Sequence, residues 1–68
     1  MPLGKNIEIT SESSDSFEAA IRDGLKRASQ TVQNIQSAWV KEQKVEVENG
    51  EIKAFRVGMK VTFLVKEK

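Results

Sequence analysis

A single helical stripe constrains this chain more than any other feature. Between residues 13 and 35 the apolar or small side chains fall at Phe17, Ala20, Ile21, Gly24, Leu25, Ala28, Thr31, Val32 and Ile35. These three- and four-residue steps place them on one face, with Glu18, Arg22, Asp23, Lys26, Arg27, Gln30 and Gln33 on the other. The pattern predicts one amphipathic helix over 13–35, capped by Ser13 or Ser14, with Asp15 and Glu18 near the positive end of its dipole and Asn34 at its exit. At about 1.5 Å per residue such a helix is a rod of roughly 30 Å. Its apolar side has to be covered, and the rest of the chain reads as strand.

Residues 5–10 alternate, Ile7 and Ile9 on one face against Asn6, Glu8 and Thr10 on the other, as in a half-buried strand; residues 11–16 then read as a connection into the helix cap. Residues 37–48 form a second strand whose alternation changes phase. Ala38 and Val40 are even, Val45 and Val47 odd, and so a bulge or sharp bend is expected between Val40 and Val45. Asn49-Gly50 is a hairpin signal, because a type I′ turn needs positive φ at both positions. The third strand, over 52–66, is long and regular. Phe55, Val57, Met59, Val61, Phe63 and Val65 share one face, and Ala54, Arg56, Gly58, Lys60, Thr62 and Leu64 the other. Periodicity leaves open which strand lies beside the first.

At about 3.3 Å per residue the third strand reaches roughly 45–50 Å, more than a 30 Å helix covers. The surplus apolar face has to meet something outside the protomer, which argues for an obligate oligomer. Size points the same way. A chain of 68 residues, read as one domain over 1–68, builds a small core, and without Cys it has no disulfide to reinforce it. The absence of Cys and His removes the usual zinc and thiolate sites. A net charge of +1 with no block of like charge gives no footprint for nucleic acid. No segment has the length of a membrane-spanning helix and the N-terminus has no apolar core, so the expectation is a cytoplasmic protein without membrane contact. An enzyme is not expected: there is no His, Cys or Tyr, no phosphate loop, and no general base set beside a nucleophile in any motif.

The element order, together with Ser16-Phe17-Glu18-Ala19-Ala20-Ile21, Lys26-Arg27-Ala28, Thr31-Val32-Gln33-Asn34-Ile35, Phe55-Arg56-Val57 and Met59-Lys60-Val61-Thr62-Phe63, resembles the dodecins over nearly the whole chain. These are small cytoplasmic proteins that assemble as hollow shells of twelve protomers and, in many members, store flavins. The resemblance implies an α+β protomer of β-α-β-β order, a three-stranded antiparallel sheet curled around one helix. It also implies a homo-oligomeric dodecamer, and binding or storage of a small molecule rather than catalysis.

Three positions carry the expected site: Ser37, Trp39 and Arg56. In the family's flavin-binding members a Trp early in the second strand stacks on the flavin ring, and Ser37 matches it here. A Gln on the third strand bonds the pyrimidine edge of the ring, and Arg56 matches that. The one Trp of this chain, Trp39, comes two residues later, on the same strand face but displaced by about 6–7 Å. It reads either as a platform for a small aromatic ligand or as interface packing. Arg56 reads as a solvated or Glu-paired side chain, as a fork for a carboxylate or phosphate, or as a stacking partner of Trp39. The resemblance thus implies riboflavin or FMN held weakly or not at all, with a conventional flavin store built on Trp39 as the alternative. A flavin-free subgroup that carries Arg at this position has been associated with calcium. The dispersed Glu42, Glu46, Glu48 and Glu51 form no calcium loop, so no metal ligand is assigned. Outside the resemblance, an adaptor that adds strands to a partner is the remaining reading.

Overall fold

The structure, a computed structural model, describes residues 3–65. Strand β1 (Leu3–Ser13) leads into helix α1 (Phe17–Ala28), and the long strands β2 (Ile35–Glu48) and β3 (Glu51–Val65) follow as a hairpin. The three strands make one antiparallel sheet in the order β1-β3-β2. This settles the arrangement that periodicity left open. The most apolar strand is central, and from Phe55 to Phe63 both its edges are paired. Lys66, the last residue of the third strand read from sequence, lies outside the described residues.

The helix is the main correction to the sequence reading. It spans 12 residues rather than 13–35, so it is roughly 18 Å long. It starts at Ser16, not Ser13 or Ser14: the Ser16 hydroxyl accepts from the Ala19 N–H at 2.9 Å, while Ser13 accepts from the Asp15 N–H at 3.0 Å in a turn of its own. It ends where hydroxyl side chains compete for its carbonyls. Ser29 Oγ donates to the Lys26 carbonyl at 2.7 Å and Thr31 Oγ1 to that of Ala28 at 3.4 Å, within a turn that also bonds Val32 N–H to the Ala28 carbonyl. Asn34 does not end the helix. It sits several residues beyond it with φ 65°, and there it directs the chain into β2. Thr31, Val32 and Ile35 therefore continue the stripe in sequence only.

The segment over 11–16, read as a connection, is partly strand. Ser11, Glu12 and Ser13 pair with Val57, Arg56 and Phe55 of β3. Ser11 also lies under the helix. A Cβ built on buried Gly24 would come within 2.8 Å of Ser11 Cβ and 3.0 Å of Met59 Cε, so glycine is what allows α1 this close to the sheet. The core under the helix is formed by Ala20, Val57 and Met59, with Ile9, Phe17, Ile21, Leu25, Ala38 and Val40 packed on it. Phe17 meets Phe55 edge to face, with ring centroids 5.1 Å apart.

Two features of the hairpin appear as expected. Asn49 and Gly50 take φ of 54° and 79°, and Glu48 pairs with Glu51 across them. The phase change in β2 is a register shift between Val40 and Glu42, which makes Lys41 the extra residue. Further shifts fall at Ile35/Ser37 and Glu46/Val47. The molecule is an elongated blade of 54 × 19 × 13 Å, and α1 covers only its middle. Towards the turn, Val47 and Ile52 face each other 61% and 56% exposed.

Candidate functional site

The sheet face turned away from α1 can be read row by row from the register. Asn6, Thr62 and Ser37 form one row; Glu8, Lys60 and Trp39 the next; then Thr10, Gly58 and Glu42; then Glu12, Arg56 and Lys44. Ser37, Trp39 and Arg56 thus share this face, but they are not brought together. Trp39 lies opposite Lys60, four residues along β3 from Arg56, a separation of about 13 Å. Within one chain the two do not stack, so that sequence expectation is not met inside the protomer.

Arg56 is held instead by carboxylates. Its Nε and Nη2 donate to Glu12 Oε1 at 3.1 and 2.7 Å, and Nη1 lies 3.9 Å from Glu46 Oε2. The Glu12 hydrogen bond, then the charges of Glu12 and Glu46, hold the guanidinium's pKa above its ordinary value. Nε and Nη2, one edge of the guanidinium, are both spent on a single Glu12 oxygen, so that edge of the fork is not free for a carboxylate or a carbonyl pair. Nothing local in the sequence marks Glu12 as the partner of Arg56, because the polar residues over 11–16 read as a turn.

Trp39 stands 64% exposed. The Lys41 ammonium lies 5.9 Å from the centre of its ring and 3.8 Å from Glu8 Oε2 on the far edge strand. Lys41 follows Trp39 by two residues and shares its face by ordinary alternation; as the extra residue of the bulge it lets Glu42 stay on that face as well. The phase change between Val40 and Val45 signals the bulge without naming Lys41 as its extra residue. Ser37 is exposed and sits across from Thr62, whose hydroxyl bonds Asn6 Oδ1 at 2.7 Å.

Among the described residues no group of three or more His, Cys, Asp or Glu side chains is placed to hold a metal ion, and no helix is long and apolar enough to cross a membrane. A cleft of about 610 Å³ separates the polar side of α1, at Asp23, Lys26 and Arg27, from Thr10 and Glu12 of β1. Another of about 440 Å³ lies beside Val32, Asn34 and Phe63.

A short helix laid on the middle of a β1-β3-β2 sheet, with a long bare hairpin, defines a small α+β protein of β-α-β-β order. The sequence matches the family model named Dodecin over residues 4–66, and the chain belongs to the dodecin family. The fold is similar to that of dodecin from Streptomyces davaonensis, with TM-score 0.93 and 33% identity over 97% of each chain. It is likewise similar to the tt0972 protein of Thermus thermophilus, with TM-score 0.93 and 28% identity over the whole of both chains. Calcium dodecin of Mycobacterium tuberculosis, a calcium-chelating antigen, matches with TM-score 0.82 and 31% identity over 97% of this chain and 94% of its own. Comparison with curated proteins gives no match.

Proposed function

We propose that this chain is the protomer of a dodecameric shell that binds or stores a small molecule without transforming it, and that its flavin affinity is low. Ser37 carries the reading. It occupies the position where the family's flavin-binding members place the stacking Trp, and a hydroxymethyl group offers no ring face. An aromatic platform contributes about 1–3 kcal/mol per stacked ring, and its loss lowers affinity by roughly 5- to 150-fold. Arg56 points in the same direction. A guanidinium donates only and cannot accept from a flavin ring N–H as a Gln carbonyl does, and here it is tied to Glu12.

The shell itself is supported by the bare hairpin. Val47 and Ile52 form an apolar pair that the protomer leaves uncovered. A calcium-associated role has no comparable support, since Glu12 and Glu46 both lie against Arg56.

Titration with riboflavin, followed by flavin fluorescence, tests the proposal. Weak, incomplete quenching is expected. Ser37→Trp combined with Arg56→Gln should recover part of the affinity. Nanomolar quenching by the unaltered protein would contradict the reading and make Trp39 the flavin platform.

A further inference from the structure

We propose that Trp39, Lys41 and Lys60 form a binding site for planar aromatic anions. The inference rests on the small-molecule reading above and specifies the ligand's class. Trp39 is exposed on a strand rather than packed, so its ring is available as a stacking surface. Lys41, two residues on along β2, shares the face of Trp39, and its two contacts are both at the outer limit of their kind: 5.9 Å to the ring centre and 3.8 Å to Glu8 Oε2. An ammonium held this loosely exchanges partners readily. Lys60, directly across from Trp39, has no carboxylate within 4.0 Å among the described residues, although Glu8 is its register neighbour on the other side.

A neutral ring settling on Trp39 has to displace the Lys41 ammonium and gains nothing in exchange. A ring carrying a carboxylate or phosphate at its edge keeps Lys41 beside the stack and gives Lys60 a counter-charge. Arg56 does not compete for that anion, because it is about four residues away and already paired with Glu12. The site therefore discriminates by charge.

The test is calorimetric titration of the assembled protein with 2-naphthoate and 2-naphthamide, the same ring with and without charge. The indole N–H signal of Trp39, the one Trp in the chain, is followed in parallel. The carboxylate should bind about three- to fivefold tighter at low ionic strength. The preference should shrink towards unity at roughly 0.5 M salt, and both ligands should shift the indole signal. In Lys41→Met the preference should largely vanish while the amide binds at least as well as before; Lys60→Met, on a different strand, should reduce the preference independently. Equal binding of the two ligands to the unaltered protein, with the indole signal moving, overturns the charge selection and leaves the small-molecule reading standing. An indole signal that neither ligand moves overturns the platform itself.

Discussion

The middle of the sheet and its hairpin end differ in their cover. Around Ile9, Val57, Met59 and Ala20 its inner face is sealed by α1, so closely that a helical position has to be Gly24. Around Val47 and Ile52 the same face of the same strands is bare. Strand alternation and β2–β3 pairing run through both regions, although β1 stops at Ser13 opposite Phe55 and leaves the tip two-stranded. The difference is helix length. A helix of 12 residues covers about 18 Å of a 54 Å blade, and among the described residues there is no other helix to extend the cover. The protomer thus completes the middle of its core and leaves the hairpin end bare; in the proposed shell, other copies complete it.

Substitutions at the two ends should separate these modes of stabilisation. The largest effect is expected under the helix. Phe17→Ala removes the ring that meets Phe55 and should cost about 3–5 kcal/mol, read by denaturant unfolding at fixed protein concentration. If the midpoint hardly moves, Phe17 is not part of the sealed core. At the bare end, Val47→Ser with Ile52→Ser should cost roughly 2–3 kcal/mol per chain. That cost should appear as a smaller assembly on light scattering, with the helical circular dichroism retained. An unchanged assembly would mean that the hairpin tip stays in water.

A sharper test of the sealed end is Gly24→Ala. Better helix propensity favours alanine by about 1 kcal/mol, yet the methyl meets Ser11 Cβ, and a net loss of about 1–3 kcal/mol is expected. Adding Ser11→Gly should return most of it, because that substitution deletes the clashing atom; thermal unfolding of the two variants decides. The smallest effect is at the cap. Ser16→Ala should cost about 1 kcal/mol, while Ser14→Ala should be close to neutral, and the pair of melting curves checks where the helix begins.

Much of the sheet was legible in the sequence because strand signals are local. The Asn49-Gly50 turn, the alternation of 52–66 and the phase break beyond Val40 each appear where the residues placed them. The helix end was not legible, because Thr31, Val32 and Ile35 continue the 3.6-residue period by position while Ser29 and Thr31 side chains already compete for the last carbonyls. The extension of β1 through Ser11, Glu12 and Ser13 was hidden for a similar reason. Three polar residues read as a turn unless a long neighbouring strand is there to pair them. That misreading concealed the partner of Arg56. At the site, the resemblance singled out Ser37, Trp39 and Arg56, and only the register showed that Lys41 and Lys60, rather than Arg56, stand beside the indole.

Light scattering of the unaltered protein at micromolar concentration tests the central claim, that the bare end is completed by other copies, most directly. The account predicts a single compact species of about twelve times the 7.6 kDa chain, unchanged on dilution across that range. A monomer or dimer would contradict it, because the apolar end of the sheet would then be stable in water without a partner.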